Sequence, residues 1–341
     1  MKILVTGGTG FIGSHTVVEL QNKGFEVIII DNLSNSSIDV LDNICKITGV
    51  KPQFEKFDLV DREQTSSFFK KNKDIKGIIH FAAFKAVGES VNFPLKYYRN
   101  NLVSLMNILE GMSENKIKNI VFSSSCTVYG QPEILPVKET SPVLAAMSPY
   151  GNTKQISEEI ITEYSQVNDI NSILLRYFNP IGAHESALIG ELPLGVPNCL
   201  MPYITQTAIG KREVLSVWGD DYNTPDGTAI RDYIHIVDLA KAHVTSIERI
   251  LKDKMKKKVE IFNLGTGNGY SVLEVINSFQ KVSGVKLNYK IKGRRSGDVE
   301  KVWADTDFAN MELGWKAEKG LDEMTLSAWR WEQALAAKEN H

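Results

Sequence analysis

The chain has little of what marks several protein classes. Its 341 residues include only three cysteines, Cys45, Cys126 and Cys199, and these show neither a CxxC spacing nor the even number typical of a disulfide framework. No metal-ligand spacing is present either. No apolar run approaches the roughly 18 residues of a membrane-spanning helix, and the apolar stretch after Met1 is too short for a signal peptide. We therefore expect a cytoplasmic protein without a metal.

The chain also lacks an excess of either charge. Lysine and arginine number 39 and aspartate and glutamate 41, for a net charge of −2. A protein that neutralises many phosphates needs a basic surface, so nucleic acid is not expected as a partner. With 43% hydrophobic and 23% charged residues, the composition is that of an ordinary globular protein.

Short runs rich in valine, isoleucine and leucine alternate with longer segments of helical character. Continuous apolar runs are typical of strands buried on both faces of a parallel sheet. The pattern predicts a Rossmann-type doubly wound α/β domain over residues 1–180. Its predicted strands are residues 2–6, 26–31, 53–58, 77–82, 119–124 and 172–177.

The sequence changes character after Pro180. Glycines and prolines become closely spaced, and strand-like runs resume at residues 214–218 and 260–264. We place a smaller α/β substrate-binding lobe over residues 181–341, with some segments, about 227–250, returning to the Rossmann domain.

A glycine-rich turn follows the first predicted strand. Gly7, Gly10 and Gly13 have a GxxGxxG spacing and lie between that strand and a predicted helix. Glycine lets such a turn reverse tightly and lets a pyrophosphate approach the backbone. The amide groups and the helix dipole then bind the anion. The order of strand, glycines and helix predicts a dinucleotide site.

Asp31 ends the second predicted strand. A carboxylate there accepts hydrogen bonds from the adenosine ribose hydroxyls and repels a 2′-phosphate. No arginine lies between Asp31 and Asp61 to bind such a phosphate. The sequence therefore favours NAD over NADP.

Tyr150 and Lys154 are four residues apart and would share one face of a helix. Taken alone, the pair fits an ordinary surface position as well. Upstream, residues 123–125 are three serines at the end of a predicted buried strand, where active sites of α/β proteins lie. Strand-end serines of this kind can orient a substrate hydroxyl.

Across nearly its whole length the chain resembles the extended short-chain dehydrogenase/reductase family, in particular its UDP-hexose 4-epimerase branch. The matching motifs are TGGTGFIG at 6–13, DNLSNSS at 31–37, HFAAFKAVGES at 80–90, FSSSCTVYG at 122–130, SPYGNTK at 148–154, RYFNPIGAH at 176–184, NCLMPYI at 198–204, GTAIRDYIHIVDLAKAH at 227–243, FNLGTG at 262–267 and RRSGD at 294–298.

The resemblance implies NAD-dependent epimerisation at C4 of UDP-hexoses. Tyr150 would be the base, Lys154 would bind the nicotinamide ribose and lower the pKa of the tyrosine, and Ser125 would bridge the phenol and the sugar 4-hydroxyl. A hydride would pass from C4 to NAD, and the 4-keto sugar would rotate before the hydride returns to its opposite face.

The resemblance also implies which residues bind the two ligands. For several of these residues a purely structural role fits as well: Phe81 and Trp218 as core side chains, Arg231 and Arg295 as members of surface ion pairs. The cofactor would contact Gly7, Gly10, Phe11, Ile12, Gly13, Asp31, Asn32, Asn35, Ser36, Asp58, Leu59, Phe81, Ala82, Ala83, Lys85, Asn100, Ser123, Tyr150, Lys154, Tyr177 and Phe178. The UDP-sugar would contact Ser125, Tyr150, Asn179, Asn198, Leu200, Val217, Trp218, Arg231, Arg295, Asp298 and Val302.

Two positions depart from the family pattern. Cys126 stands where many of these epimerases have alanine, a small change that should not alter the chemistry. Val302 stands where relatives restricted to unmodified hexoses tend to have tyrosine. A smaller side chain leaves room for an N-acetyl group, so we expect UDP-GlcNAc and UDP-GalNAc to be accepted as well.

Other functions remain open at this point. A nucleotide-sugar 4,6-dehydratase would need an acidic residue after the strand-end serines, where this chain has Cys126 and Thr127. A UDP-pentose epimerase, a simple dehydrogenase and a non-catalytic NAD-sensing regulator share the same fold. The resemblance further implies a homodimer formed through helices near residues 94–114 and 149–168.

Overall fold

The computed structural model describes residues 1–295 and 299–339. Its strands are β1 Lys2–Thr6, β2 Glu26–Asp31, β3 Gln53–Lys56, β4 Ile75–His80, β5 Asn119–Ser123, β6 Asn171–Tyr177, β7 Asn179–Ile181, β8 Leu215–Trp218, β9 Ile230–His235, β10 Val259–Leu264, β11 Gly269–Ser271, β12 Tyr289–Lys292 and β13 Lys301–Val302. Its helices are α1 Phe11–Asn22, α2 Asp39–Thr48, α3 Arg62–Lys71, α4 Val87–Asn92, α5 Pro94–Glu114, α6 Pro149–Val167, α7 Leu200–Ala208, α8 Ile236–Leu251, α9 Val272–Ser283 and α10 Leu321–Glu339, with a short 3₁₀ turn at Cys126–Tyr129 and a π turn at Ala309–Leu313.

A parallel sheet of seven strands in the order β10-β6-β5-β4-β1-β2-β3 forms the centre of the fold. Successive residues of each strand face opposite sides, so that Ile3 and Leu4 belong to different apolar clusters. One cluster packs the sheet against α1, α2 and α8, and the other packs it against α3, α5 and α6. The predicted doubly wound α/β fold is confirmed.

The six strands predicted for this domain match the structure to within two residues at each end. The sheet has a seventh strand, because β10 pairs with β6 from Val259↔Ser172 to Leu264↔Tyr177. From the sequence alone this segment falls in the second part of the chain. Its apolar residues Phe262 and Leu264 are fully buried in the apolar cluster to which α8 also belongs, and β10 contacts the π turn. This burial stabilises the segment as part of the main sheet.

The strand order places β1 between β4 and β2, which pair with it on opposite sides. The chain runs outward from β1 to β2 and β3, then crosses to β4 on the other side. At such a point the two crossover connections leave in opposite directions, and a crevice opens beyond the carboxyl ends of the strands. The glycine turn after Thr6 lies at this crevice.

The remaining strands form two small sheets. β9 pairs with β7, β11 and β13, and β8 pairs with β12. An apolar cluster joins these strands to α7, α9 and α10, with Phe279 and Trp329 in edge contact at a centroid distance of 5.6 Å. α8 follows β9 directly and packs against α1 on the main sheet. In the described part of the chain, no helix is both long and apolar enough to cross a membrane.

Candidate active site

A cavity of about 630 Å³ opens at the carboxyl ends of β1, β2, β4 and β5. Residues from the second part of the chain, 188–194 and Trp331 among them, complete its wall. Most of the cofactor-binding residues predicted from the sequence line this one cavity: Gly7, Gly10, Phe11, Ile12, Gly13, Asp31, Asn32, Asn35, Ser36, Asp58, Leu59, Phe81, Ala82, Ala83, Lys85, Asn100, Ser123, Tyr150, Lys154 and Tyr177.

The glycine turn forms a backbone cradle at one end of the cavity. Gly7 has a φ of +68°, and a Cβ there would lie 2.9 Å from the backbone nitrogen of Ala82. A Cβ on Gly13 would lie 2.2 Å from the carbonyl oxygen of Gly7. No side chain caps the amino end of α1, whose N-cap residue is Gly10. Exposed amide groups at a helix amino end are suited to binding an anion.

Asp31 lies at the edge of this cradle with its side chain almost fully buried. Its carboxylate accepts hydrogen bonds from the backbone nitrogens of Thr9 at 3.2 Å and Leu33 at 2.9 Å, and from the hydroxyl of Ser36 at 3.3 Å. Thr9 and Ser36 also join their hydroxyls at 2.7 Å. These bonds fix the carboxylate at the cavity wall.

The Tyr150/Lys154 pair lies in the first turns of α6. Ser148 caps this helix by accepting a hydrogen bond from the Gly151 nitrogen at 3.1 Å, and Pro149 occupies the first helical position. Tyr150 is 8% exposed and Lys154 4% exposed. Both line the cavity, so the alternative of an ordinary surface pair does not hold.

Lys154 reaches from α6 to the end of β5. Its Nζ donates a hydrogen bond to the carbonyl oxygen of Ser123 at 2.5 Å and lies 4.8 Å from the centre of the Phe122 ring. Burial lowers the pKa of Lys154 to about 8, and the negative charge of Glu158 opposes this effect. The ammonium group is thus held beside the cavity with a pKa near neutral pH.

Burial raises the pKa of Tyr150 above its ordinary value, and the nearby phenol of Tyr177 adds to this effect. A hydrogen bond with Ser125 lowers the pKa and opposes both. Tyr177 donates to or accepts from the hydroxyl of Ser123 at 2.6 Å. Without an added positive charge Tyr150 is therefore a neutral phenol, held among the serines that end β5.

The substrate residues predicted from the sequence lie mainly on the small sheets. Asn198 lines the cavity, whereas Asn179 begins β7 and Leu200 begins α7. Arg231 on β9 lies beside Val302 on β13. Burial raises the pKa of Cys126, next to Ser125, to about 12, and the charge of Arg231 opposes this effect. The pKa of Cys199 is raised by the charge of Glu191 and by burial, and the charge of Arg295 weakly opposes this rise. Arg295 therefore lies near the cavity residue Cys199 and Arg231 lies near Cys126, but neither arginine lines the cavity itself.

Several predicted residues do not line the cavity. Phe178 is buried in an apolar cluster with Val302 and does not reach the cavity wall. Val217 is 1% exposed and packs in the core of the second part. Trp218 is 41% exposed, which argues against a core role. Asp298 lies outside the described residues.

Glu191 is a cavity residue that the sequence did not reveal. It forms an ion pair with Lys85 at 3.1 Å between Nζ and Oε1, and its backbone carbonyl accepts a hydrogen bond from Trp331 Nε1 at 2.9 Å. It also raises the pKa of Cys199 to about 12. Its partners lie far apart in the chain, so no local motif predicts the contact. Thr9 also lines the cavity and was not predicted, although its place within the glycine motif could have revealed it.

Comparisons with known proteins agree with this geometry. The model of the family described as GDP-mannose 4,6 dehydratase matches residues 4–327. The UDP-glucose 4-epimerase of Bacillus subtilis strain 168 is 52% identical over 335 residues, covering 98% of this chain and 97% of the relative.

Solved structures show the same likeness. A Stenotrophomonas maltophila UDP-glucose 4-epimerase with bound NAD and formylated UDP-arabinopyranose has a TM-score of 0.95 and 44% identity, with 99% of each chain covered. The Bifidobacterium longum UDP-glucose 4-epimerase in complex with NAD+ and UDP has a TM-score of 0.93 and 46% identity, with 98% of each chain covered. The resemblance inferred from the motifs is confirmed: the chain belongs to the UDP-glucose 4-epimerase family of extended short-chain dehydrogenases/reductases.

Proposed function

We propose that this protein is an isomerase that interconverts UDP-glucose and UDP-galactose by NAD-dependent epimerisation at C4. One observation carries the proposal: the Tyr150/Lys154 pair and the strand-end residue Ser123 line the same cavity as the glycine cradle and Asp31. A proton-transfer group and a dinucleotide site therefore share one space. The family relatives bear the name of this activity.

The cavity fits NAD. A side chain at Gly7 or Gly13 would meet backbone atoms at 2.9 Å or less, so this turn can pack tightly only with glycine. The turn and the uncapped amino end of α1 line the cavity, where backbone amide groups can bind a pyrophosphate. Around Asp31 the lining residues are Asn32, Ser34, Asn35, Ser36 and Ser37, and they offer no cation for a 2′-phosphate. Asp31 would hold the adenosine ribose hydroxyls, with Asp58, Leu59, Phe81, Ala82, Ala83, Lys85, Asn100 and Tyr177 along the remaining wall.

Bound NAD would supply a reversible hydride acceptor for C4 of the hexose and a positive charge close to Tyr150. Tyr150 takes the proton of the sugar 4-hydroxyl and returns it when the inverted alcohol forms. Ser125 orients that hydroxyl through its own hydrogen bond to the phenol. The reaction inverts C4 and leaves the oxidation state of the sugar unchanged.

Lys154 has an electrostatic role. A phenol whose pKa is raised by burial ionises near neutral pH only beside positive charge. The Lys154 ammonium supplies part of that charge from one helical turn away, with its ring-to-Nζ distance to Tyr150 at 6.0 Å. The hydrogen bond from Lys154 to Ser123 keeps the ammonium in place.

The UDP moiety would be held by the second part of the chain, residues 181–341, acting as the substrate-binding lobe. Arginine binds pyrophosphate oxygens well because its guanidinium group presents several donors in a fixed plane. Arg231 and Arg295, which both lie in matching motifs, would bind the diphosphate, with Asn179, Asn198, Leu200, Val217, Trp218 and Asp298 as their proposed companions.

Val302 would make the sugar pocket permissive. It is 8% exposed and packs with Phe178, Tyr129 and Val137 beside Cys126, the residue that follows Ser125. A tyrosine at this position would need more volume than valine occupies. We therefore include UDP-GlcNAc and UDP-GalNAc among the substrates. Equal failure of the wild type and of Val302→Tyr on UDP-GlcNAc would refute this extension.

Product analysis on the purified protein tests the function. UDP-glucose, UDP-GlcNAc and UDP-pentoses are each incubated without added NAD, and the products are separated and identified by NMR. Epimers at C4 are expected. A 4-keto-6-deoxy sugar would instead identify a 4,6-dehydratase, an activity disfavoured because Cys126 and Thr127 follow the serines. A lack of product unless NAD is added in stoichiometric amounts would identify a simple dehydrogenase.

We also propose that the protein is a cytoplasmic homodimer. α5 and α6 pack against each other, and Leu95, Met106 and Val167 on these helices are exposed apolar residues. Light scattering after gel filtration should give twice the mass of 38.1 kDa. The three cysteines are free thiols, which suits a reducing compartment.

A further inference from the structure

Glu158 is a buried carboxylate on α6 to which the chemistry above assigns no role. It lies one helical turn beyond Lys154 and is 7% exposed. Arg176 Nε donates hydrogen bonds to its two oxygens at 2.9 and 3.2 Å, and Arg176 is itself 4% exposed. The hydroxyl of Ser124 also donates to it. The carboxylate is therefore held in a fixed position between the helix and the sheet.

Each partner of Glu158 adjoins a residue of the active site. Ser124 lies between the two serines that contact Lys154 and Tyr150, at the end of β5. Arg176 directly precedes Tyr177 at the end of β6. Glu158 thus ties the carboxyl ends of both strands to the helix that carries the Tyr150/Lys154 pair.

The same network extends to the turn after Ser125. Arg176 Nη1 donates to the hydroxyl of Tyr129 at 3.0 Å, and this hydroxyl donates to Asn263 Oδ1 at 2.7 Å. Tyr129 ends the 3₁₀ turn that Ser125 caps. The ion pair therefore also fixes the backbone that presents Ser125.

The charges around Lys154 give Glu158 a second role. Glu158 opposes the effect of burial on Lys154. His80 on β4 faces the same ammonium and is neutral, because burial lowers its pKa to about 3. The other titratable groups around this pair are Tyr150 on α6, Arg176 and Tyr177 on β6, and Tyr129 and Glu139 beyond Arg176.

We propose that Glu158 is a positioning residue for the Tyr150/Lys154 pair. Held by Arg176 and Ser124, its carboxylate fixes the ends of β5 and β6 against α6 and keeps the Lys154 ammonium charged. This inference rests on the proposed epimerase function, in which that charge promotes ionisation of the phenol.

The test compares the pH dependence of kcat in three variants with the wild type. Glu158→Gln removes the negative charge and leaves the positive charge of Arg176 without a partner. Both changes disfavour the Lys154 ammonium. The alkaline limb of the kcat profile, the pH range in which kcat falls as Lys154 loses its proton, should therefore move down by about one pH unit. KM for UDP-glucose should change less than about twofold, because Glu158 does not touch the substrate. Arg176→Gln leaves the carboxylate unneutralised and should move the limb upward. Glu158→Asp keeps the charge and should leave the limb near its wild-type position.

A matched control separates this role from the loss of a buried ion pair. Arg249 and Glu260 form a similar pair, 9% and 4% exposed, with Nε to Oε2 at 2.6 Å. Glu260 lies near the start of β10, at the end of the sheet remote from the cavity. Glu260→Gln should lower thermal stability without moving the pH limb.

The outcomes are distinguishable. A uniform loss of kcat at every pH in Glu158→Gln, with the limb unmoved, overturns the inference. If that variant does not fold, the upward shift in Arg176→Gln and the unmoved limb in Glu158→Asp decide the matter, and a downward shift in either overturns it. If the wild type and Glu260→Gln also fail to form epimers, the proposed function is wrong rather than the role of Glu158.

Discussion

Lys154 on α6 donates its hydrogen bond to the main-chain carbonyl of Ser123, at 2.5 Å. A backbone acceptor has no net charge, so the field of the ammonium still acts on Tyr150, whereas a carboxylate partner at the same distance would offset much of that field. The bond also links the helix to the end of β5. The electrostatic role proposed for Lys154 depends on this choice of partner.

Replacing Tyr150 by phenylalanine removes the proposed base and little volume. We expect kcat for UDP-glucose to fall by about 100-fold or more, since general-base catalysis contributes about 10²–10⁴-fold. Thermal stability should stay close to that of the wild type. Tyr289→Phe, at an exposed position, is the matched control. Activity within about threefold of wild type in Tyr150→Phe would remove Tyr150 from the mechanism.

Activity should decline on the alkaline side as Lys154 loses its proton. Because burial lowers the pKa of Lys154 to about 8, the ammonium is present below that pH and is lost as the pH rises through it. We expect kcat to fall above about pH 8, in a profile measured from pH 6 to 10. In Lys154→Met kcat should be low throughout and this limb should disappear. A limb that persists in Lys154→Met belongs to another group.

The carboxylate of Asp31 should control cofactor retention. Asp31→Asn keeps the size of the side chain but loses the charge that best accepts the ribose hydroxyls. We expect at least tenfold weaker NAD binding, measured as the NAD that remains after gel filtration and by titration. Asp42→Asn, which alters an exposed carboxylate paired with Lys51, should retain NAD as the wild type does. Unchanged retention in Asp31→Asn would contradict the proposed ribose contact.

A methyl group on the glycine turn should be tolerated only where space exists. At Gly13 the added Cβ would lie 2.2 Å from the Gly7 carbonyl oxygen, so the turn must shift. We expect Gly13→Ala to lower the free energy of unfolding by about 1–3 kcal/mol and to weaken NAD binding. At Gly88 an added Cβ would meet no neighbouring atom within 4 Å, so Gly88→Ala should leave the stability unchanged or raise it. Equal stability of the two variants would contradict the close packing of this turn.

Buried histidines should make the fold sensitive to mild acid. Burial lowers the pKa values of His15, His80 and His235 to about 3 and that of His243 to about 4, against about 6.5 in an unfolded chain. Between pH 6.5 and 4 the unfolded state binds more protons, so stability falls as the pH falls. Each histidine contributes up to about 1.4 kcal/mol per pH unit.

Urea unfolding at pH 7.5, 6 and 5 measures this slope. His80→Asn should reduce the slope, because one of the four groups is then missing from both states. If the free energy of unfolding stays constant from pH 7.5 to 5, these histidines take up protons as readily in the folded protein as in the unfolded chain, and the prediction is wrong.

The sequence predicted well wherever the evidence was local. Strand, glycines, helix and Asp31 follow one another within a single βαβ unit, so their spacing alone predicted where they would meet. Tyr150 and Lys154 share a helix face because the helical repeat brings residues four apart together. The edge strand β10 was harder to place, because a short apolar run does not reveal which sheet it will join.

Contacts between distant segments were beyond the sequence. Lys85 and Glu191 are far apart in the chain, and their ion pair forms only because the second part of the chain closes over the crevice. Glu158 reads locally as one more acidic residue on a helix. Its burial against Arg176 becomes evident only once β6 has packed beneath α6.

The sequence by itself thus determined the fold class, the dinucleotide cradle and the chemical types that line it, because hydrophobic period, glycine spacing and helical repeat are properties of neighbouring residues. Tertiary structure alone decided which charges are buried together, and hence the states of Tyr150 and Lys154. Burial and electrostatic neighbours set a pKa, and both come from segments that meet only in the folded chain.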